Sequence, residues 1–106
     1  MNKPITHELK IYKEYADAII NGEKTFEIRL NDRRYKVGDI IKFTQVSDGR
    51  PILNHPITKK EYKITYMLEG WGLKDNWCVF SIKEIKENEN TLSSIITKEA
   101  ADNGDK

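Results

Sequence analysis

The sequence lacks the features that mark disulfide-stabilised and membrane-spanning proteins. Its single cysteine, Cys78, cannot form a disulfide within the chain, which agrees with a reducing compartment. No apolar run approaches the roughly 20 residues that a membrane-spanning helix needs, and the start of the chain lacks the apolar core of a signal peptide. We therefore expect a cytoplasmic protein with no membrane partner.

Neither sign of charge is in large excess: the chain has 18 basic and 17 acidic residues, and its formal net charge is +1. This balance argues against a polycation that binds duplex DNA non-specifically. The distribution is uneven, since residues 1–85 hold 15 of the basic but only 12 of the acidic residues. A local basic patch on the folded part is therefore the feature with which this chain could bind a nucleic acid.

The length of 106 residues fits one compact domain. We expect the domain to span residues 1–86, with a polar tail over residues 87–106 that is mobile or forms a short helix. Helical spacing over residues 12–20, closed by Asn21 and Gly22, predicts one helix. Alternating segments predict five strands, at residues 7–11, 25–30, 40–46, 61–68 and 77–85.

This order of elements predicts a mainly β (α+β) fold. Five strands joined by short connections bury their inner face best as a curled sheet or barrel, with the helix packed beside it. Cys78, Phe80 and Ile82 are expected to point inward from the last strand. The aromatic residues whose helical or strand spacing predicts mostly core positions are Tyr12, Tyr15, Tyr66 and Trp77.

The segment 22–30, Gly-Glu-Lys-Thr-Phe-Glu-Ile-Arg-Leu, carries the chemistry of most interest. Strand geometry separates an apolar set from a polar row, because alternate side chains point to opposite faces. The polar row is either a solvated face with an ion pair or the floor of a site. Its members are Lys24, Thr25, Glu27 and Arg29.

The polar row carries groups that can bind a phosphate or a base edge. Arg29 offers a planar fork for a phosphate or a base edge, and Lys24 a compact cation for a phosphate. Glu27 could hold Arg29, accept a hydrogen bond from an exocyclic amine, or act as a general base.

Two further features could contact a ligand. The loop Arg33-Arg34-Tyr35 combines cations with a ring, as in proteins that hold single-stranded RNA, although a solvated loop explains it equally well. Trp71, between two glycines, could stack a base at the rim of a cleft or cap the end of the barrel.

No metal site or cofactor is expected from the sequence. His7, His55 and Cys78 do not have the spacing of zinc ligands. There is no P-loop, dinucleotide-binding glycine pattern or nucleophile motif.

The sequence resembles the ASCH domain, a relative of the PUA domains of RNA-modifying proteins. The likeness rests on Gly-x-Lys-x-x-Glu-x-Arg at residues 22–29, followed by Val-Gly-Asp at residues 37–39. The flanking segments 7–10 and 66–73 resemble the DUF3850 branch, found in bacteria and their phages. The resemblance covers residues 5–85 and leaves out the tail.

The resemblance implies a PUA-like five-stranded pseudo-barrel whose cleft, between helix and sheet, binds RNA. One bacterial relative removes the acetyl group from N4-acetylcytidine with a Lys, a Thr and a Glu. Lys24 matches that lysine by position, Glu27 stands where the relative has its threonine, and Thr25 lies two residues earlier.

Three functions fit the sequence. The first is an RNA- or nucleotide-binding module that uses the polar row, the basic loop and Trp71. The second is a small amidohydrolase or nuclease acting on a modified nucleoside, with Lys24 and Glu27 as catalytic residues and Thr25 as a further candidate. The third is a non-catalytic regulatory or interaction module.

Overall fold

The computed structural model describes residues 3–86, so the predicted tail over residues 87–106 lies outside the described residues. The elements are β1 (Thr6–Tyr12), α1 (Lys13–Ile20), β2 (Phe26–Leu30), β3 (Ile40–Ser47), β4 (Arg50–Ile52), a 3₁₀ turn (Pro56–Lys59), β5 (Glu61–Glu69) and β6 (Trp77–Ile85).

The strands form one sheet in the order β1-β3-β5-β6-β2, and β4 pairs with the end of β3. β1 runs parallel to β3, whereas the other pairs are antiparallel. Although β1 and β2 are the two edges of this sheet, Arg29 and Arg33 bond across to the backbone of β1. The sheet therefore curls into a half-barrel, and over residues 3–86 the mainly β architecture with one α-helix is as predicted.

The core lies inside the curve of the sheet. Alternate residues of β1, β3 and β6 are buried, as the period of two requires, and Ala16 and Ile19 of α1 pack onto them. Cys78, Phe80 and Ile82 point inward, as predicted. The buried core comprises Leu9, Ile11, Ala16, Ile19, Tyr35, Ile41, Phe43, Ile57, Tyr62, Ile64, Cys78, Phe80 and Ile82.

The structure contains a sixth strand that the sequence pattern did not predict. Asp48 and Gly49 alone make the turn after β3, with φ values of 52° and 77°. Positive φ at both positions is the geometry of a tight β-hairpin, for which Asp-Gly is a preferred pair. β4 then pairs with β3 despite Pro51, because a proline is tolerated on an edge strand.

The prediction that Tyr66 is a core residue is wrong, because β5 changes face in its middle. Tyr62 and Ile64 are buried, but the pairing with β6 shifts register between Ile64 and Tyr66. Such a β-bulge turns the following side chains to the opposite face. Tyr66 is therefore exposed, and Met67 packs against the core in its place.

A buried polar cluster ties the start of β1 to the turn that precedes β3. Asp39 is buried, with Oδ2 2.8 Å from His7 Nε2. The same carboxylate accepts hydrogen bonds from the backbone N–H groups of Ile5 and Lys36, at 3.2 and 3.1 Å. Burial acts to raise the pKa of Asp39, but these hydrogen bonds outweigh it and hold the pKa below its ordinary value.

Asp39→Asn is expected to lower the free energy of unfolding at pH 7 by about 1–2 kcal/mol, because the variant loses charge-assisted hydrogen bonds. A carboxyl group whose pKa is lowered on folding stabilises the protein above its unfolded pKa, here 3.8. That stabilisation disappears as the pH falls through the lower folded pKa. Urea unfolding at pH 7 and pH 3 should therefore show a difference between wild type and variant that shrinks at pH 3.

Asp48→Asn provides the control, because Asp48 is exposed and asparagine tolerates its positive φ. This variant should match wild type at both pH values. A constant deficit of Asp39→Asn from pH 7 to pH 3 would show that the carboxylate charge has no part in holding the turn.

Candidate functional site

The open side of the half-barrel lies between the two edge strands, β1 and β2. Two arginines bridge this gap: Arg29 Nη2 donates to the carbonyl oxygen of Lys10 at 3.0 Å, and Arg33 Nη1 donates to that of Glu8 at 3.1 Å. Side chains thus bond where a closed barrel would have backbone hydrogen bonds between strands. The gap forms a cleft instead of a continuous sheet.

The cleft has a volume of about 670 Å³, which is within the range of small-molecule sites. Its lining includes four basic and two acidic residues, together with a larger number of apolar and aromatic ones. The lining residues are Leu9, Lys10, Ile11, Tyr12, Tyr15, Lys24, Phe26, Glu27, Ile28, Arg29, Leu30, Asp32, Arg33, Tyr35 and Trp77.

A buried carboxylate organises the polar part of the cleft. Glu27 is only 4% exposed, and its two oxygens contact two different cations. Oε1 accepts from Arg29 Nε at 2.8 Å, and Oε2 accepts from Lys24 Nζ. A buried charge is tolerated only when it is paired in this way. Glu27 therefore holds Lys24 and Arg29 beside each other.

The end of α1 places Lys24 in the cleft. Gly22, with φ +80°, turns the chain after the helix, and the backbone N–H groups of Glu23 and Lys24 donate to the carbonyl oxygen of Ala18. This ending is the one that the Asn21-Gly22 pair predicted. It turns the chain toward β2, so that Lys24 lies immediately before that strand.

The Lys24 ammonium lies in an aromatic setting. Its Nζ is 5.8 Å from the centroid of the Tyr15 ring and 5.0 Å from that of Phe26. It also donates to the Phe26 carbonyl oxygen at 2.6 Å. Both rings are within the range of a cation–π contact.

In β2 the apolar residues are exposed and a charged residue is buried, which is the reverse of what an amphipathic strand usually shows. Phe26, Ile28 and Leu30 are 40–50% exposed and line the cleft, whereas Glu27, between them, is buried. Trp77 lies directly across from Leu30 in the ladder with β6 and also lines the cleft. The β2 side of the cleft is therefore an apolar, partly aromatic rim above a charged floor.

Of the residues in the predicted polar row, the structure brings three together. Lys24, Glu27 and Arg29 meet at the floor of the cleft. Thr25 is exposed and does not line the cleft, and its carbonyl oxygen instead accepts from the backbone N–H of Ile82.

Of the predicted basic loop, only part faces the cleft. Arg33 lines it, whereas Arg34 is exposed and lies outside the lining. Tyr35 is 5% exposed, with its ring centroid 4.7 Å from that of His7 and 4.9 Å from that of Phe80. It is therefore part of the floor, and its buried ring does not fit the predicted role in stacking with a base.

The buried Tyr35 hydroxyl remains protonated at neutral pH. Burial raises the pKa of Tyr35, against the opposing effect of the Arg29 and Arg33 charges. The floor thus presents a neutral phenol beside the cations.

Neither tryptophan has a role that was predicted for it. Trp71 is 87% exposed and does not line the cleft, so the interpretation as a cap on the barrel end is wrong, and the structure does not bring it to the cleft rim. Trp77, predicted to be core, lines the cleft instead.

Tyr12 and Tyr15 were also predicted to be mostly core, but both are exposed at the cleft. Their i, i+3 spacing is a helical signal that does not distinguish core from rim.

A second hollow, of about 810 Å³, lies at the opposite end of β6. It contains three lysines and two glutamates but none of the described aromatic residues, and Lys60 Nζ pairs with Glu84 there at 2.9 Å. Among residues 3–86 no cluster of three His, Cys, Asp or Glu side chains is arranged to hold a metal ion.

Within the described part of the chain, no helix has both the length and the apolar character needed to span a membrane.

The chain belongs to the family described as "Domain of unknown function (DUF3850)", whose model matches residues 6–82. This confirms the DUF3850 part of the resemblance. The match includes β2, the basic loop and every residue that lines the cleft. A search of curated proteins found no match.

Proposed function

We propose that the cleft between β1 and β2 binds RNA or a nucleotide. One observation carries this proposal: the buried Glu27 carboxylate holds Lys24 and Arg29 side by side at the floor of a cleft with an apolar, aromatic rim. A nucleotide carries both a phosphate and a flat aromatic base, so it can contact both of these surfaces.

The cations are suited to a phosphate. A guanidinium carries five N–H donors, and Arg29 uses two in its contacts with Glu27 and Lys10. The remaining donors can make the paired hydrogen bonds that arginine forms with phosphate oxygens. Because Glu27 positions the guanidinium before a ligand arrives, binding costs little ordering of this side chain.

The rim is suited to a base. Exposed rings beside cations are the common means of holding single-stranded RNA, through stacking and phosphate contacts. Tyr15, Phe26 and Trp77 supply the rings at this cleft. They replace Tyr35 and Trp71 as our candidates for stacking.

The family membership and the signature at residues 22–29 support a further proposal, that this is an ASCH domain with a PUA-like pseudo-barrel, of bacterial or phage origin. On this proposal, the signature Lys, Glu and Arg correspond to the floor of the cleft. The Asp of the Val-Gly-Asp motif is Asp39, which belongs to the buried cluster that holds β1 against the turn before β3.

Hydrolysis of a modified nucleoside is the second candidate function. The contact between Lys24 Nζ and Glu27 places a potential acid and base together in the cleft, but Thr25 lies outside the lining. Release of cytidine from N4-acetylcytidine by the wild type, abolished in Lys24→Ala, would identify the protein as a hydrolase.

Binding of labelled single-stranded RNA should weaken as salt increases. With about three phosphate contacts, from Lys24, Arg29 and Arg33, the slope of log K against log salt should be about −2. Arg33→Ala should make this slope less steep by about 0.7. Fluorescence anisotropy at several salt concentrations measures both slopes.

Lys59→Ala is the matched control, since Lys59 belongs to the second hollow. It should leave the slope unchanged. If the slope changes in Lys59→Ala and not in Arg33→Ala, the RNA binds at the second hollow, and the proposed cleft site is wrong.

A further inference from the structure

The contacts of the two bridging arginines show the relative direction of β1 and β2 on either side of the cleft. Arg29 reaches Lys10, whereas Arg33, later in the chain, reaches Glu8, which is earlier. The two strands therefore run in opposite directions, and the cleft has two distinguishable ends. The start of β2 faces the end of β1, where α1 begins.

The first end is built around Lys24. Phe26, the first residue of β2, and Tyr15 of α1 place their rings within 6 Å of the ammonium, and Tyr12 at the end of β1 lies beside Tyr15, with ring centroids 6.5 Å apart. All three rings are exposed at the cleft. This end combines a cation with faces on which a base can stack.

The second end is formed where β2 finishes. Leu30 pairs directly with Trp77 of β6, and side chains at directly opposite positions lie on the same face of the sheet. Arg33 bonds to β1 at this end. Leu30 lies four positions after Phe26, which is about 14 Å along a strand. One base cannot contact the rings at both ends.

Arg29 lies between the two ends. It belongs to the part of β2 between Phe26 and Leu30 and spans the gap to Lys10. A phosphate that joins two nucleotides would meet the Arg29 guanidinium when their bases lie at the two ends.

We propose that the cleft holds two consecutive nucleotides of a single RNA strand, with one base at the Tyr15–Phe26 end and the other against Trp77. This inference rests on the proposed function and specifies the size of its ligand. The linking phosphate lies at Arg29.

The test compares uridine 5′-monophosphate, the dinucleotide pUpU and the trinucleotide pUpUpU by isothermal titration calorimetry at low salt. Affinity should rise about tenfold from the mononucleotide to the dinucleotide, since a second base gains an aromatic face. It should rise less than threefold from the dinucleotide to the trinucleotide. Trp77→Ala should abolish the first gain, so that this variant binds the mononucleotide and the dinucleotide with equal affinity.

Trp71→Ala is the matched control, because Trp71 is exposed outside the cleft, and it should keep the tenfold gain. Equal affinities for the mononucleotide and dinucleotide, or a gain that survives in Trp77→Ala, would overturn the two-nucleotide site while leaving the proposed function standing. If none of the three ligands binds, the proposed function itself fails, and the two-nucleotide site fails with it.

Discussion

Arg29→Ala is expected to lower the affinity for single-stranded RNA by about 30-fold, or about 2 kcal/mol, the size of a lost charge-assisted hydrogen-bonding contact. Arg29 is the one cation that both contacts Glu27 and spans the cleft to Lys10 among the described residues. Its loss removes a phosphate contact from the middle of the site. Fluorescence anisotropy with a labelled oligonucleotide measures the change.

Two companion variants separate the shape of the guanidinium from its charge. Arg29→Lys keeps the charge without the planar fork and should bind with intermediate affinity. Arg34→Asn removes a charge from the adjacent loop at a residue outside the cleft lining, and asparagine tolerates its φ of 54°. This variant should bind almost as wild type does. Equal losses in Arg34→Asn and Arg29→Ala would indicate attraction by overall charge and no defined site.

Glu27→Leu is expected to lower the free energy of unfolding by about 3 kcal/mol. Removing one member of a buried charged group leaves its partners uncompensated, and here Lys24 and Arg29 would face each other with side chains only 18% and 25% exposed. Their partial access to water keeps the cost at the lower end of the range for buried ion pairs. Urea denaturation at pH 7 measures the difference.

The surface pair of Glu61 and Lys42 supplies the comparison, because its two side chains are 51% and 45% exposed and 4.0 Å apart. Glu61→Leu should cost less than about 0.5 kcal/mol through loss of this pair. Lys24→Met introduced together with Glu27→Leu should recover part of the lost stability, since it removes one of the repelling cations. If Glu27→Leu costs no more than Glu61→Leu, Glu27 does not organise the floor of the cleft.

The fold was predictable wherever a local pattern sufficed. Alternation located the five longer strands, and Asn21-Gly22 fixed the end of α1 and with it the position of Lys24. The failures occurred where the outcome depended on strand pairing. The bulge after Ile64 exposes Tyr66, and the residue types in β5 do not predict that shift of register.

For the site too, contacts within one segment were predictable from the sequence, whereas contacts between distant segments were not. The period of two indicated that Glu27 and Arg29 share a face of β2. Lys24 lies before that strand and meets them in the cleft because of the turn after α1. The pattern could not show that the curled sheet brings the β1 edge close to β2. That approach buries Glu27 and leaves Phe26 on the rim. Apolar residues on an edge strand beside a gap are therefore available to a ligand, although alternation alone places them in a core.

Ligand binding at the cleft is tested most directly by a map of backbone amide shifts in ¹H–¹⁵N NMR spectra as pUpU is added to the full chain. We predict that the largest changes fall on residues 8–12 and 24–33 and on Trp77, which surround the cleft. Changes concentrated on residues 54–60 and 84–86, around the second hollow, would contradict binding at the cleft, as would the absence of any change at saturating dinucleotide.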